Sequence, residues 1–361
     1  MEFYRLPVWH VRKDTRDAVV VEFTVPEDLR ETFAFTQGQY LTLRAAIGDE
    51  EHRRSYSICA NPRSGRLRVA IKRVDDGVFS SWAHGSLQVG DELEVAAPQG
   101  RFFVPLDAQA QRSYLAVAAG SGITPVLSLI ETTLECEPHS SFTLVYGNRS
   151  ASTTMFREEL QRLKDRYLDR LALIFVTSRE RQDIDAFNGR IDRERMLTLC
   201  RGWIDLDATD YVFICGPESM MEGVVAALDE REFPRERTIV ERFATDGAAA
   251  RERRERARNQ PERIVHASVV LDGTARTFEI RKDTETVLEA GLRQGIDLPF
   301  SCKGGVCSSC RAQLTAGEVD MDVHFALEDY EVRSGVILMC QSHPVSEELT
   351  LDVDAIAAQL V

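Results

Sequence analysis

The arrangement of four cysteines near the carboxyl end is the feature that most restricts how this chain can fold. Cys302, Cys307 and Cys310 follow the spacing C-x4-C-x2-C, and Cys340 comes at a distance from them. If four thiolates are to bind one centre, the first three must share a tight loop and the fourth must fold back against it. The loop contains small residues that let backbone amides approach the sulfur atoms, namely Gly304, Gly305, Ser308 and Ser309.

This spacing is typical of a plant-type 2Fe-2S cluster. Two alternatives stay open, a structural zinc site and a group of buried free thiols. Zinc sites usually present their cysteines in two separated clips, whereas the second segment here contributes Cys340 alone. The spacing therefore favours an iron–sulfur site with Cys302, Cys307, Cys310 and Cys340 as ligands. The other scattered thiols are interpreted as ordinary core residues: Cys59, Cys136 and Cys200.

Length and composition limit the class of protein. With 361 residues, the chain is long enough for two or three domains. Its net charge of -14 argues against non-specific binding to nucleic acid or to anionic lipid. The most apolar stretch, 114–130, is interrupted by glycine and proline, so we predict no membrane span. The amino terminus lacks the pattern of a secretory signal, and we expect a cytoplasmic protein without a disulfide framework.

Residues 1–107 show the pattern of a small antiparallel β domain. Short runs of alternating or β-branched residues are separated by turn residues such as Asn61-Pro62 and Asp76-Gly77. This spacing predicts a barrel or a sandwich. The predicted strands are 18–25, 40–43, 55–59, 67–73 and 92–96.

Residues 108–243 show a different pattern, in which apolar strand-like runs alternate with helix-like segments. Such alternation predicts an α/β domain with a parallel sheet and crossover helices. The predicted strands are 114–118, 141–146, 171–177 and 211–215, and the predicted helices are 125–134, 154–168 and 218–230.

A charged linker, 244–262, is predicted to separate this domain from a third one, 263–361. Its run 251–258 holds five arginines and two glutamates and is interpreted as a solvated linker. The alternative is a docking surface for an acidic partner or for the chain's own acidic C-terminal part. Residues 262–361 hold 17 acidic and 8 basic residues, so they carry -9 of the net charge of -14.

The first domain carries residue types that suit a flavin. Arg54 could hold a phosphate, Tyr56 could stack on the ring, and Ser57 could hydrogen-bond its edge. A strand whose tyrosine simply faces one side is the alternative explanation. Downstream, Lys72 precedes a predicted helix start, whose free amides favour an anion. The residues of this helix start are Gly77, Val78, Phe79 and Ser80.

The second domain carries a glycine-rich turn between a predicted strand and a predicted helix. A turn of this kind at a helix N-terminus suits a diphosphate. Pro125 replaces the third glycine of G-x-G-x-x-G, and a turn with no ligand is the alternative. A hydrolase is disfavoured because Ser121 does not satisfy G-x-S-x-G. The turn consists of Gly120, Ser121, Gly122, Thr124 and Pro125, with Ile123 between them.

Two strand ends in the second domain carry arginine. Arg149 follows the strand predicted at 141–146, and Ser178 and Arg179 follow the strand predicted at 171–177. An acidic residue there would prefer the free 2′-hydroxyl of NADH, whereas Arg and Ser suit the 2′-phosphate of NADPH. These residues favour NADPH, and surface cations without a ligand are the alternative.

Together, these motifs resemble those of the ferredoxin-NADP reductase superfamily. The series R-x-Y-S at 54–57, G-x-x-S at 77–80 and G-x-G-x-T-P at 120–125 follows that family's order. Residues 263–361 resemble a plant-type ferredoxin domain in the cysteine loop and in the ending Cys340-Gln341-Ser342. The resemblance implies a multidomain protein: an antiparallel β-barrel that binds FAD, a Rossmann-like α/β domain that binds NAD(P)H, and an α+β ferredoxin domain of the β-grasp type.

The resemblance also assigns residues to roles. Arg54 and the amides at 77–80 would hold the flavin diphosphate, with Tyr56 on the flavin ring. The motif Cys215-Gly216-Pro217 would place its cysteine beside the nicotinamide. The family's closing motif E-x-F would place two residues near the flavin, Glu241 and Phe243. On this basis the predicted catalytic residues are Cys215, Tyr56 and Glu241.

Three cofactors in this order imply an electron path. A nicotinamide gives up two electrons together, a 2Fe-2S cluster takes one at a time, and a flavin can do both. The whole chain resembles the reductase components of bacterial multicomponent oxygenases. That resemblance is carried by the stretches 302–308, 321–328 and 338–344. It implies that the acceptor is the di-iron oxygenase component of a multicomponent epoxidase.

Two other functions stay open. One is the reductase component of a Rieske-type oxygenase, such as a ketosteroid hydroxylase, because such reductases share the domain order. The other is an iron–sulfur redox sensor without turnover, which the flavin motif, the glycine turn and Cys215 disfavour.

Overall fold

The computed structural model describes residues 1–243, 252, 253, 255 and 263–357. The chain divides into two compact units, Glu2–Arg242 and Phe243–Val361, and each is described by itself. The first unit contains an antiparallel and a parallel sheet, and the second contains a mixed sheet. The predicted fold class is confirmed, whereas the boundaries drawn at 107, 243 and 262 stay predictions.

Six antiparallel strands form the barrel-like sheet of the first unit, in the order β4-β3-β6-β1-β2-β5. All residues of β2 are buried, and helix α1 covers the same core through Phe79 and Ala83. The elements are β1 (Tyr4–Thr15), β2 (Ala18–Phe23), β3 (Tyr40–Ile47), β4 (Glu50–Ser57), β5 (Leu67–Lys72), β6 (Glu92–Val95) and α1 (Val78–Gly85).

Five parallel strands form the second sheet, in the order β11-β10-β7-β8-β9. Alternate residues of β7 enter different cores: Tyr114 lies in one cluster and Leu115 in another, so both faces of the sheet are covered. The strands are β7 (Ser113–Ala119), β8 (Ser141–Asn148), β9 (Leu171–Thr177), β10 (Tyr211–Cys215) and β11 (Thr238–Glu241). The helices are α2 (Ile123–Cys136), α3 (Arg157–Arg166), α4 (Arg193–Gly202) and α5 (Glu218–Glu230).

The second unit contains a mixed five-stranded sheet, in the order β13-β12-β18-β14-β16, and the small pair β15-β17. Helix α6 packs beside β13, and a capping box of Thr286 and Glu289 fixes its start. The strands are β12 (Ile264–Leu271), β13 (Thr274–Arg281), β14 (Arg311–Ala316), β15 (Val319–Met321), β16 (Val336–Leu338), β17 (Ser342–Pro344) and β18 (Glu348–Asp352). The helices are α6 (Val287–Arg293), α7 (Asp329–Arg333) and α8 (Asp354–Ala357).

Two strands of the barrel differ from the sequence prediction. The long β1 was not predicted, because its polar residues face solvent while it pairs with β2 and β6. The strand predicted at 55–59 also begins too late. In the structure β4 starts at Glu50, and Arg53 is buried with its guanidinium 2.7 Å from Glu51. Antiparallel backbone pairing with β3 keeps this charged segment in the sheet.

The helices of the described residues are short or interrupted by polar side chains. None of them is long and apolar enough to cross a bilayer.

Candidate redox site

The four predicted cluster cysteines come together in two pairs. Cys302 is hydrogen-bonded through its side chain to Cys307, and Cys310 to Cys340. Cys302 is half-buried and the other three are buried. Among the described residues, no group of three or more His, Cys, Asp or Glu side chains surrounds the position of a single metal ion. The two pairs instead offer two thiolates to each of two irons, which is what a 2Fe-2S cluster needs.

Within each pair, the hydrogen bond favours the thiolate of one partner. The bond from Cys302 lowers the pKa of Cys307 to about 6, against the effect of burial. The bond from Cys310 likewise lowers the pKa of Cys340. The donating thiols of Cys302 and Cys310 have raised pKa values, first because of these bonds and then because of burial. Each pair thus shares one proton, which a bound cluster would displace because the thiolate is the form that binds metal.

The backbone of the cysteine loop also points amides at sulfur. The N–H of Gly304 donates to Cys302 Sγ at 3.3 Å, and the N–H of Cys302 donates to Cys307 Sγ at 3.4 Å. Gly305 has φ of +73°, and a Cβ there would lie 2.7 Å from Val323 Cγ2. A larger residue would therefore push the loop away from its neighbours. Of the small loop residues, Gly304 supplies an amide to sulfur and Gly305 fits where a Cβ would clash.

The predicted flavin residues of β4 lie at its carboxyl end. The strand alternates, so Arg54 is exposed while Ser57 is buried. The Tyr56 ring packs beside Phe79 with a centroid distance of 5.7 Å. Burial raises the pKa of Tyr56, so its hydroxyl stays neutral. A neutral fixed ring and a nearby exposed cation are groups that suit a flavin and its phosphate.

The start of α1 presents backbone amides rather than side chains. A Cβ on Gly77 would lie 2.4 Å from Val74 Cγ2, so the turn requires glycine. The Ser80 hydroxyl donates to the Gly77 carbonyl and accepts from the Val74 N–H, both at 3.2 Å. Phe79 is a core residue. The groups that can reach an anion are therefore the N–H groups of Val78, Phe79 and Ser80.

The glycine-rich turn joins β7 to α2. Gly120 has φ of +55°, and the Lys72 Nζ lies 3.7 Å from the position that its Cβ would take. A Cβ on Gly122 would lie 2.0 Å from the carbonyl oxygen of Cys215, so the two backbones are in contact there. The structure thus brings the predicted cation, the turn and the C-G-P motif together.

Thr124 and Pro125 shape the start of α2. Both are buried, and the Thr124 hydroxyl donates to the Ser121 carbonyl at 2.9 Å. Proline is tolerated in the first helical turn because an N–H there has no partner in the helix. The half-buried Ser121 and the backbone amides are the groups of this turn that can meet a diphosphate.

Three predicted residues from distant segments meet at the carboxyl ends of β4, β10 and β11. The Ser57 hydroxyl donates to Glu241 Oε2 at 3.2 Å, and Cys215 pairs with Glu241 in the sheet register. Burial raises the pKa of Glu241 to about 8, and the bond from Ser57 opposes this shift. Burial, and then the charge of Glu241, raise the pKa of Cys215. At neutral pH this group therefore holds a thiol and a largely protonated carboxyl.

The predicted adenosine residues are adjacent at the ends of β8 and β9. The N–H of Arg179 donates to the Arg149 carbonyl at 2.8 Å, and that of Ser178 donates to Asn148 at 2.9 Å. Arg149, Ser178 and Arg179 are all exposed. Two arginines and a serine thus lie on one edge of the parallel sheet, where such folds bind ligands.

Asn148 is a candidate that sequence reasoning missed. Its buried Nδ2 makes no close hydrogen bond among the described residues and has only a weaker interaction with the Tyr146 side chain. A buried unsatisfied amide is costly, and a nucleotide at this strand end would supply an acceptor. The available signal was its position, a polar residue two positions beyond the apolar run predicted as a strand at 141–146.

The remaining predicted residues divide into two groups. Gly216 and Pro217 lead into α5, and a Cβ on Gly216 would lie 2.7 Å from Met220 Cε, so they shape a close approach to that helix. Phe243 is the first residue of the second unit and is 41% exposed. Its predicted contact with the flavin stays a prediction.

Among the described residues of the arginine-rich run, Glu252 and Glu255 are exposed, whereas Arg253 is half-buried and paired. The interpretation of the run as a solvated linker stays a prediction. Arg253 Nε donates to Asp322 Oδ1 at 2.8 Å, and its terminal nitrogen donates to Asp320 Oδ2 at 2.5 Å. Its side chain is 21% exposed. Two ion pairs thus hold Arg253 against the acidic C-terminal part, as the docking alternative expects of this one residue. The other arginines of 251–258 lie outside the described residues.

Comparison with known families matches three segments of the chain. Residues 6–104 match the oxidoreductase FAD-binding domain, 116–226 the oxidoreductase NAD-binding domain, and 269–345 the 2Fe-2S iron-sulfur cluster binding domain. Along the chain, the three matched domains follow the same order as the flavin, nucleotide and cysteine motifs. FAD, NAD(P)H and a 2Fe-2S cluster are therefore the cofactors of this chain.

Two curated relatives and one solved structure align over nearly the whole chain. The E component of 1,2-phenylacetyl-CoA epoxidase from Escherichia coli (strain K12) is 42% identical over 98% of both chains. The ferredoxin reductase component of 3-ketosteroid-9-alpha-monooxygenase from Mycobacterium tuberculosis (strain ATCC 25618 / H37Rv) is 32% identical, over 97% of this chain and 95% of the relative. Phthalate dioxygenase reductase superposes with a TM-score of 0.61 at 27% identity, covering 97% and 98% of the two chains.

The ketosteroid and phthalate relatives are reductases by name, and all three proteins align with this chain across its FAD, NAD and 2Fe-2S domains. The chain therefore belongs to the family of flavin iron–sulfur oxidoreductases that join a ferredoxin-NADP reductase module to a C-terminal plant-type ferredoxin domain.

Proposed function

We propose that this chain carries electrons from NADPH through FAD and a 2Fe-2S cluster to the di-iron oxygenase component of a phenylacetyl-CoA epoxidase, within aerobic phenylacetate degradation. The observation that carries the acceptor assignment is the 42% identity to the E component of such an epoxidase over 98% of both chains. The ketosteroid relative described above is 32% identical. The domain boundaries 1–107, 108–243, 244–262 and 263–361 are part of the proposal.

The chain's own residues bind and orient the cofactors. When bound, the nicotinamide supplies two electrons together, the cluster accepts one at a time, and the flavin exchanges electrons in both ways. Arg54 and the amides at the start of α1 hold the flavin diphosphate. Lys72 and the turn at 120–122 hold the diphosphate of the coenzyme, supported by the 3.7 Å approach of Lys72 to that turn.

We assign Ser57, Cys215 and Glu241 to the place where nicotinamide and flavin meet. Their support is the hydrogen bond of 3.2 Å between Ser57 and Glu241 and the strand pairing of Cys215 with Glu241. A protonated Glu241 offers a proton to a neighbouring acceptor and adds no negative charge to the site. Cys215, as a buried thiol, fills space beside the ring and excludes water.

NADPH is the proposed coenzyme because two exposed arginines follow adjacent strands of the parallel sheet. Arg149 and Arg179 are joined by a backbone hydrogen bond of 2.8 Å, and guanidinium groups bind phosphate strongly. Glu180 is close by, but its carboxylate already accepts the Ala151 N–H at 2.7 Å. This arrangement favours a coenzyme with a 2′-phosphate.

Reconstitution tests the acceptor. The loaded chain is combined with NADPH and, in parallel, with a phenylacetyl-CoA oxygenase and with a ketosteroid Rieske oxygenase. The proposal expects coupled product with the phenylacetyl-CoA oxygenase. Product with the Rieske enzyme alone would assign the chain to the second candidate function, which the 30–32% identical ketosteroid reductases support.

Catalysis is separated from sensing by NADPH-driven reduction of cytochrome c. A reductase turns over many equivalents, whereas an iron–sulfur sensor does not. Absence of turnover in a chain loaded with FAD and iron would overturn the reductase function.

A further inference from the structure

The residue that follows the fourth cysteine reaches back into the ligand loop. Gln341 is 8% exposed, and its side-chain Nε2 lies 3.5 Å from Cys340 Sγ. The same nitrogen lies 3.0 Å from the Lys303 carbonyl and 2.9 Å from the Cys340 carbonyl. One buried amide therefore connects the distant ligand to the turn that follows the first ligand.

The packing around Gln341 fixes this amide in place. A Cβ on Gly305 would lie 3.0 Å from Gln341 Cγ, so the glutamine stem lies directly against the loop. The N–H of Asp322 donates to the main-chain carbonyl of Gln341 at 3.0 Å, which fixes the backbone from which the side chain extends. Together with the two carbonyl acceptors, this packing orders the amide before a cluster binds.

Donors near a cluster's sulfur atoms have a defined physical effect. Reduction adds one negative charge to the cluster, and part of that charge lies on the sulfur ligands. An N–H donor stabilises the reduced form more than the oxidised form, which raises the reduction potential. The Gly305 N–H also faces Cys340, so Gln341 adds a side-chain donor to one supplied by the backbone.

We propose that Gln341 is a positioning residue that raises the reduction potential of the cluster. Its two N–H groups bond the Lys303 and Cys340 carbonyls and hold the Lys303 turn, and one of them is shared with Cys340 Sγ. A higher potential makes transfer of one electron from the reduced flavin to the cluster more favourable. The inference rests on the cluster-binding role of the cysteines and is independent of which oxygenase accepts the electron.

The test is an EPR-monitored redox titration with dithionite, which needs neither coenzyme nor acceptor. Gln341→Leu removes the donor and keeps the size of the side chain. The matched control is Gln313→Leu, because the Gln313 amide donates to the backbone carbonyls of Leu314 and Ser334 and not to a cysteine. Iron content is measured in both variants.

We expect a lower midpoint potential in Gln341→Leu than in the wild type, with unchanged iron content, and no shift in Gln313→Leu. Gln341→Glu, which keeps the length and loses the donor, should lower the potential further because it adds a negative charge. An unchanged potential in Gln341→Leu would overturn the proposal. Failure of both Gln341 variants to hold iron, with normal loading of Gln313→Leu, would also overturn it, in favour of a role in assembly alone.

Discussion

The cluster loop and the Ser57–Cys215–Glu241 site are built in opposite ways. Three cluster cysteines lie within the nine residues 302–310, and loop amides contact the sulfur atoms directly. Ser57 and Glu241, in contrast, are separated by 184 positions and meet only because a barrel strand ends against a parallel sheet. A site made by one loop is visible as a spacing, whereas a site made by the fold is not. The two sites should also differ in how they fail.

The largest expected effect is the loss of the cluster in Cys307→Ala. Cys307 belongs to one of the two ligand pairs, so its removal leaves one iron with a single protein ligand. We expect the visible absorption of the cluster to disappear while NADPH still reduces the flavin. Cys200→Ala, at a partly buried thiol outside the loop, should retain both signals. Simultaneous loss of flavin reduction in Cys307→Ala would show that the two sites are not independent.

A second effect concerns the dispersed site and depends on pH. Since burial raises the pKa of Glu241 to about 8, the rate of flavin reduction by NADPH should fall as pH rises through about 8. A single titration gives about a tenfold fall per pH unit above that value. Stopped-flow measurement of Glu241→Gln, which cannot ionise, should give a flat profile in this range. An identical fall in the variant would assign the titration to another group.

The same carboxyl links stability to pH. Its folded pKa lies above the unfolded value, so its contribution to stability is present below the unfolded pKa of about 4.5 and is lost as pH rises to about 8. As pH rises from about 4.5 to about 8, the melting temperature of Glu241→Gln should therefore increase relative to that of the wild type. Melting temperatures that differ equally at pH 5 and pH 8 would contradict the assignment.

A smaller effect is expected at the adenosine end. Replacing Arg149 and Arg179 by Ala should raise the Michaelis constant for NADPH by about tenfold or more, because a charge-assisted hydrogen bond contributes about 1.5–3 kcal/mol. The constant for NADH should change little. Arg162→Ala, on the exposed face of α3, is the control. Equal effects on the two coenzymes would remove the 2′-phosphate assignment.

The smallest effect is expected in the linker. Arg253→Gln removes two ion pairs, one of them to the buried Asp322. We expect the free energy of unfolding of the second unit to fall by about 1 kcal/mol, measured by denaturant titration of the cluster absorption. Arg263→Gln serves as the control, because Arg263 also forms an ion pair, with Asp283, but its side chain is 58% exposed. No difference between the two variants would mean that Arg253 is not docked in solution.

The comparison of the two sites also explains which features could be predicted from the sequence and which could not. The cysteine ligands and the alternation of β7 to β10 came from local spacing and periodicity, and the structure confirms the fold class. The roles of Tyr56, Cys215 and Glu241 came from a family resemblance, because no local pattern connects them. β1 and the first half of β4 were not predicted. Their many charged residues do not show the apolar alternation of a strand, and it is pairing with β6 and with β3 that keeps them in the sheet. Docking of Arg253 is a tertiary contact that a charge run alone cannot specify.

Anaerobic stopped-flow mixing of the fully loaded chain with NADPH tests the central claim most directly. The claim is that the two sites form one electron path within a single polypeptide. We predict that flavin absorption bleaches first and that cluster absorption then decreases, in proportion to the electrons that NADPH supplies. The claim would be contradicted if the flavin became reduced while the cluster stayed oxidised, in a sample whose cluster dithionite can reduce.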